Sequence, residues 1–143
     1  MSEPTPTPLL QKAKPVINHT TVIECQLFTF GDNRFYFPDV FALRDKLVYG
    51  IKLITRNDIA KSAYGNRVVG TMAVRDLRIT LTNRQAVYVV DNLPLRILQS
   101  KINAHHTIIN PPIPLDCYRC FITVSNTRYI KDKDVVLLNV LYK

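Results

Sequence analysis

The residues with the most chemical potential are Cys117 and Cys120, which frame the stretch Cys-Tyr-Arg-Cys. Two thiolates at that spacing can chelate zinc, or cycle as a redox pair, when a tight turn aims both inward. A four-ligand site needs a second half. The remaining cysteine is Cys25, and His105 and His106 stand across a proline-rich stretch from the pair. If residues 118–124 form a strand, an odd step of three puts Cys117 and Cys120 on opposite faces. The expectation is reduced, metal-free thiols, with Cys25 a small buried apolar residue and the two histidines in a loop. No glycine-rich phosphate loop, nucleophile elbow or HExxH helix is present, and Glu3 and Glu24 are the only glutamates. No carboxylate pair stands at an interpretable spacing, so the reading is a protein with no catalytic residue, no cofactor and no metal, and not an enzyme.

The second kind of chemistry is electrostatic. Nineteen Lys and Arg oppose 11 Asp and Glu, a formal charge of +8, and between Lys52 and Lys101 the acids are Asp58, Asp76 and Asp91 alone. Lys52, Lys61, Arg67, Arg75, Arg78 and Arg84 are therefore the candidate contacts for an anionic partner such as nucleic acid. A scattered positive surface also keeps a protein soluble, and nucleic acid is not the favoured partner. Seven Tyr and six Phe could supply a base-stacking platform, but most fall at strand positions whose expected destination is the core.

The elements that must position these groups read as β structure. At 143 residues and 47% hydrophobic content the chain suits one domain with its own core. No apolar run has the length of a membrane span, the first twenty residues lack a signal-type apolar region, and an odd count of three cysteines makes no disulfide framework, so synthesis in a cytoplasm is expected. Residues 1–18 carry Pro4, Pro6, Pro8 and Pro15 and read as an extended arm, with Leu9, Leu10, Val16 and Ile17 as candidate subunit contacts. Residues 19–143 form the folded domain.

The organising stretch is Ala73 to Leu95. Leu77, Ile79 and Leu81 alternate with Arg78, Thr80 and Thr82, the period of a strand with one buried and one wet face. A polar break leads to Ala86–Val90, apolar on both sides and so expected deeper in a sheet, ending around Asp91-Asn92 and Pro94. Val22–Phe30 and Arg34–Phe37, joined by Gly31-Asp32-Asn33, read as another hairpin. Residues 42–45 make at most one helical turn. A long strand is expected from Leu47 to Ile54, with Gly50 marking a bulge or close approach. Residues 55–66 are loop, 67–74 resume β structure, 95–102 suit a short helix, and Pro111, Pro112 and Pro114 make 105–114 a crossing connection. Strands at 118–124 and 135–142 bracket a polar loop. About eight strands with little helix imply an all-β, single-domain antiparallel sandwich, jelly-roll-like in its spacing.

Phe35-Tyr36-Phe37-Pro38-Asp39, the apolar strand at 47–54, the Asp91-Asn92-Leu93-Pro94-Leu95 strand exit and the all-β C-terminal end together resemble the short structural proteins of bacteriophage particles. That resemblance covers most of residues 22–143. It implies a capsid, vertex or related virion component, made in a host cytoplasm, that works by assembling with copies of itself and other virion proteins. It transfers no functional residue. Two other readings stay open: a nucleic-acid-binding β-barrel using the basic residues named above, and a receptor- or glycan-binding sandwich.

Overall fold

The structure, a computed structural model, describes residues 19–99 and 105–143. Its strands are β1 (His19–Gln26), β2 (Arg34–Tyr36), β3 (Val48–Ile54), β4 (Leu77–Thr82), β5 (Tyr88–Pro94), β6 (Thr107–Ile113), β7 (Phe121–Val124) and β8 (Val135–Tyr142). They form two four-stranded antiparallel sheets, ordered β1-β8-β3-β6 and β2-β7-β4-β5. Read inward from the two ends of the chain, partners nest: β1 with β8, β2 with β7, β3 with β6, β4 with β5. The all-β sandwich expected from the strand spacing is what the chain forms.

The inner faces meet in one core. Ile23 and Cys25 of β1, Val136, Leu138 and Val140 of β8, and Ile51 and Leu53 of β3 face Leu77, Ile79, Ile122 and Val124 of the other sheet. Period-two alternation generates this, since the intervening residues fall on the outer faces. A second cluster of Val68, Val135 and Leu137, with Ile54 against it, covers part of the outer face of the first sheet. That is why the first half of β8, Val135 to Leu138, is apolar on both faces.

The long strand 47–54 carries its bulge at Gly50, where register shifts against both β6 and β8. A Cβ there would lie 2.9 Å from Leu141 Cδ1 and 3.3 Å from His106 Cβ, so the neighbouring strands approach too closely for a side chain. The bulge also resets the alternation: Val48, Ile51 and Leu53 face inward, whereas Leu47 is exposed.

Several expectations are corrected. Residues 22–30 and 34–37 are not a hairpin. Gly31 does turn the chain at positive φ, but the segment 27–33 crosses between sheets, because Leu27 is tied by its N–H to the Asp134 carbonyl and by its carbonyl to the Lys133 N–H. The second half of the central hairpin lies at a sheet edge and not deep within it, with Val87, Tyr88 and Val89 exposed. It continues to Pro94 through register shifts, with Asn92 at φ 53°. Thr80 and Thr82 are buried, not wet, since Thr80 Oγ1 accepts the Asn92 N–H and Thr82 Oγ1 donates to the Arg119 carbonyl.

Residues 67–74 give one parallel bridge, Val68 to Val135, then a helical turn, α1 (Thr71–Val74). The proline-rich stretch supplies the edge strand β6, a position that tolerates missing donors, and includes a cis Asn110–Pro111 bond. Residues 41–43 and 95–98 form single 3-10 turns. The rest of the expected 95–102 helix, beyond residue 99, and Leu9, Leu10, Val16 and Ile17 of the arm lie outside the described residues.

Two stability outcomes follow from this packing. Ile79→Ala, at a fully buried site, is expected to cost about 2–4 kcal/mol. Thr80→Val, which keeps the volume and removes the acceptor of the Asn92 N–H, is expected to cost about 1–3 kcal/mol. Urea titration of both variants checks the assignment, and a neutral Ile79→Ala would contradict it.

Candidate functional site

The three thiols are all buried. Cys117 belongs to a 3-10 turn over Cys117–Arg119 and not to the strand, which begins at Phe121, so the opposite-faces argument used the wrong local structure. Cys120 Sγ donates to the Asp116 carbonyl at 3.2 Å and accepts the Thr82 N–H at 3.3 Å. Burial pushes the Cys25 and Cys120 thiols up to about 12 and Cys117 to about 11. His106 Nε2 lies 2.6 Å from Asn139 Oδ1. Among the described residues no cluster of three or more His, Cys, Asp or Glu is disposed to hold a metal, and no helix is long and apolar enough to cross a membrane.

The six candidate basic residues do not gather. Arg67 makes a two-pronged pair with Asp134, at 2.9 Å from Nε and 2.7 Å from its terminal nitrogen. This contact raises the arginine's pKa and spends the guanidinium on folding. Arg84 reaches the carbonyls of Leu43 and Lys46, at 3.4 and 3.3 Å. Arg78 Nε donates to the Asn92 carbonyl at 2.9 Å. Lys52 lies on β3 between inward-facing Ile51 and Leu53, and Arg78 on β4 between inward-facing Leu77 and Ile79, so the two project from opposite outer faces of the sandwich. Lys61 and Arg75 are exposed, on the loop after β3 and at the end of α1.

Two surfaces gather side chains instead. The first runs along the flank where the edge strands β1 and β2 come together, as the 3.4 Å contact from Cys25 Sγ to the Phe35 carbonyl shows. It is an open groove of about 770 Å³ between β1, β2, the connection 38–42 and the loop at Tyr64 and Asn66. Val22, Tyr36, Phe41 and Tyr64 give it exposed apolar surface. Its polar groups include Glu24, which accepts from Asn66 Nδ2 at 2.8 Å, and Asp39, whose carboxyl the hydrogen-bonded Arg44 guanidinium holds below the usual carboxylate range.

The second surface is the outer face of the β2-β7-β4-β5 sheet. Register fixes its layout. Thr123 has Arg34 on one side and Arg78 on the other, and the next rung sets Phe121 between Tyr36 and Thr80. Tyr88 pairs with Thr82. The Tyr36 ring centroid lies 5.4 Å and that of Tyr88 6.3 Å from Phe121, while the Arg34 guanidinium stacks 4.0 Å over the same ring. Tyr36, Tyr88 and Arg119 wall a shallow pocket of about 260 Å³ floored by Phe121 and Thr82.

Of these residues, the sequence reading singled out Arg78 alone as a candidate contact. Arg34 and Tyr36, two apart, could be placed on one face by period two. That Phe121 and Tyr88 join them depends on pairings across most of the chain, which no local pattern reports. Comparison with protein-family models, with curated proteins and with solved structures gives no match to this chain.

The buried thiols yield a pH outcome. Their pKa values are higher folded than unfolded, so the folded state holds these protons more tightly. The associated stability is full below the ordinary thiol range, near 8.5, and is lost as pH rises through the folded values. Labelling by a thiol-reactive dye at about pH 8 is expected to be at least tenfold slower in the native protein than in denaturant. Equal rates would show that the thiols are accessible.

Proposed function

We propose that this chain is a non-enzymatic structural subunit of a virus particle, a capsid, vertex or related component, that works by assembling with copies of itself and with other virion proteins. The observation that carries this reading is the nested pairing of eight strands in two sheets, which we read as the winding of a jelly roll. Fold by itself does not fix function. The reading is supported by what the sandwich leaves open: among the described residues, free edges at β1 and β2 beside a broad groove with exposed aromatic residues. Unpaired strand edges and exposed apolar patches are the surfaces through which β proteins associate.

The occupant proposed for that groove is the 1–18 arm of a second copy. Its prolines favour an extended form before any contact is made, which lowers the ordering cost of docking. Leu9, Leu10, Val16 and Ile17 supply apolar groups, and Lys12 and Lys14 complement Glu24 and Asp39 of the groove. The alternative that relied on Lys52, Lys61, Arg67, Arg75, Arg78 and Arg84 as one basic surface loses support from their dispersal and from the Arg67–Asp134 pair.

Sedimentation of the full chain and of residues 19–143 tests the reading. The full chain is expected to form a defined oligomer whose midpoint concentration rises at least tenfold on deletion of the arm, while the thermal melt of the domain stays within about 3 °C. A full chain that remains monomeric at high concentration would contradict it.

A further inference from the structure

We infer that the outer face of the β2-β7-β4-β5 sheet is a binding site for single-stranded nucleic acid, with one base taken between Tyr36 and Tyr88 and the phosphates met by Arg34, Arg119 and Arg78. Three observations converge on that chemistry. Tyr36 and Tyr88 are each 52% exposed on a strand face, although an aromatic side chain left half in water forgoes much of its burial energy. Both rings are braced against Phe121, itself only 4% exposed, so they stand as fixed walls and not as mobile surface groups. The space between them, about 260 Å³ and open to solvent, suits one flat ring.

The guanidiniums are distributed around this slot. Arg34 is held over Phe121 and also contacts the Tyr36 hydroxyl at 3.5 Å. Arg78 shares its face one rung away, and Arg119 lies on the pocket wall. The nearby carboxylates are Asp116, 3.5 Å from Arg119, and Asp32, which interacts with Arg34 through space. Arg119 is itself exposed and would exchange a half-buried carboxylate partner for a phosphate. In a chain of net charge +8, stacking walls with arginines beside them match the backbone and bases of a single strand. A sugar ring could stack in the same slot, but among the described residues no carboxylate or carboxamide lines it to accept sugar hydroxyls, whereas base stacking needs no acceptor. A duplex keeps its bases inside and cannot use the slot.

This site and the arm groove share Tyr36 and Arg34 at the β2 edge, but Tyr88, Phe121 and Arg119 lie outside the groove, so Tyr88→Ala tests this inference without touching the assembly reading and either can fail alone. The test is fluorescence anisotropy of the full chain with a labelled oligothymidylate of about 12 nucleotides in about 50 mM salt. Binding is expected to weaken with a log–log salt slope of roughly −2, the value for about three phosphate contacts on a single strand. Tyr36→Ala and Tyr88→Ala are each expected to lose about tenfold or more, and Tyr88→Phe, which keeps the ring, to stay within about twofold. Lys61→Ala, on the loop after β3, is expected to change little. The chain contains no tryptophan, so quenching of tyrosine emission by the bound bases gives a second readout of stacking.

Absence of binding would overturn the inference. So would equal affinity for a duplex of the same length or for inorganic polyphosphate, or displacement by an acidic oligosaccharide but not by oligothymidylate. Tyrosine variants that melt like the parent and bind like it would also overturn it.

Discussion

The structure depends on a buried carboxylate. Asp134, 2% exposed, stands immediately before β8 and accepts both prongs of Arg67 and the Lys131 N–H, while its carbonyl takes the Leu27 N–H. One residue thus ties the loop before β8, the segment after β1 and the segment between β3 and α1 to a single point. β8 then pairs with β1 over its whole length and with β3 from Leu137 to Tyr142, and two of the sheet's three pairings involve it. An unpaired charge at that depth would be strongly unfavourable, so Arg67 is committed to it. One of the six residues read as candidate contacts for an anionic partner is a structural partner instead.

Nested pairing imposes a second constraint. β1 finds β8 more than a hundred residues away in sequence, and β4 with β5 is the one pairing made through a short connection. Such contacts are costly in loop entropy and must be repaid by burial. Ile23, Cys25, Val136, Leu138 and Val140 supply it from one sheet, and Leu77, Ile79, Ile122 and Val124 from the other.

This separates what was legible in the sequence from what was not. Alternation placed β1, β3, β4 and the inward face of Leu77, Ile79 and Leu81, an apolar run placed β8, and a glycine inside a strand marked the bulge at Gly50, because each is a local signal. Partner choice was not legible. The Gly31 turn looks the same whether the next strand folds back or crosses to the other sheet, and the hydrogen bonds of Leu27 decide it. Val87-Tyr88-Val89 is apolar enough for a central strand, yet it forms an edge, since β7 has taken the other side of β4. Prolines argued against a strand at 107–113, but an edge does not need every donor. The aromatic and arginine cluster was hidden for the same reason, as Tyr36, Tyr88 and Phe121 meet only after the sheet is assembled.

The central claim is that this sandwich acts through an edge groove that receives a second copy. Amide hydrogen exchange of the full chain across a concentration series tests it most directly, because exchange locates an interface by segment. As the protein self-associates, added protection is expected in β1, β2 and the connection 38–42, while β4 and β8 are protected at every concentration. Protection that does not change with concentration, or that appears only away from the β1–β2 flank, would contradict the account.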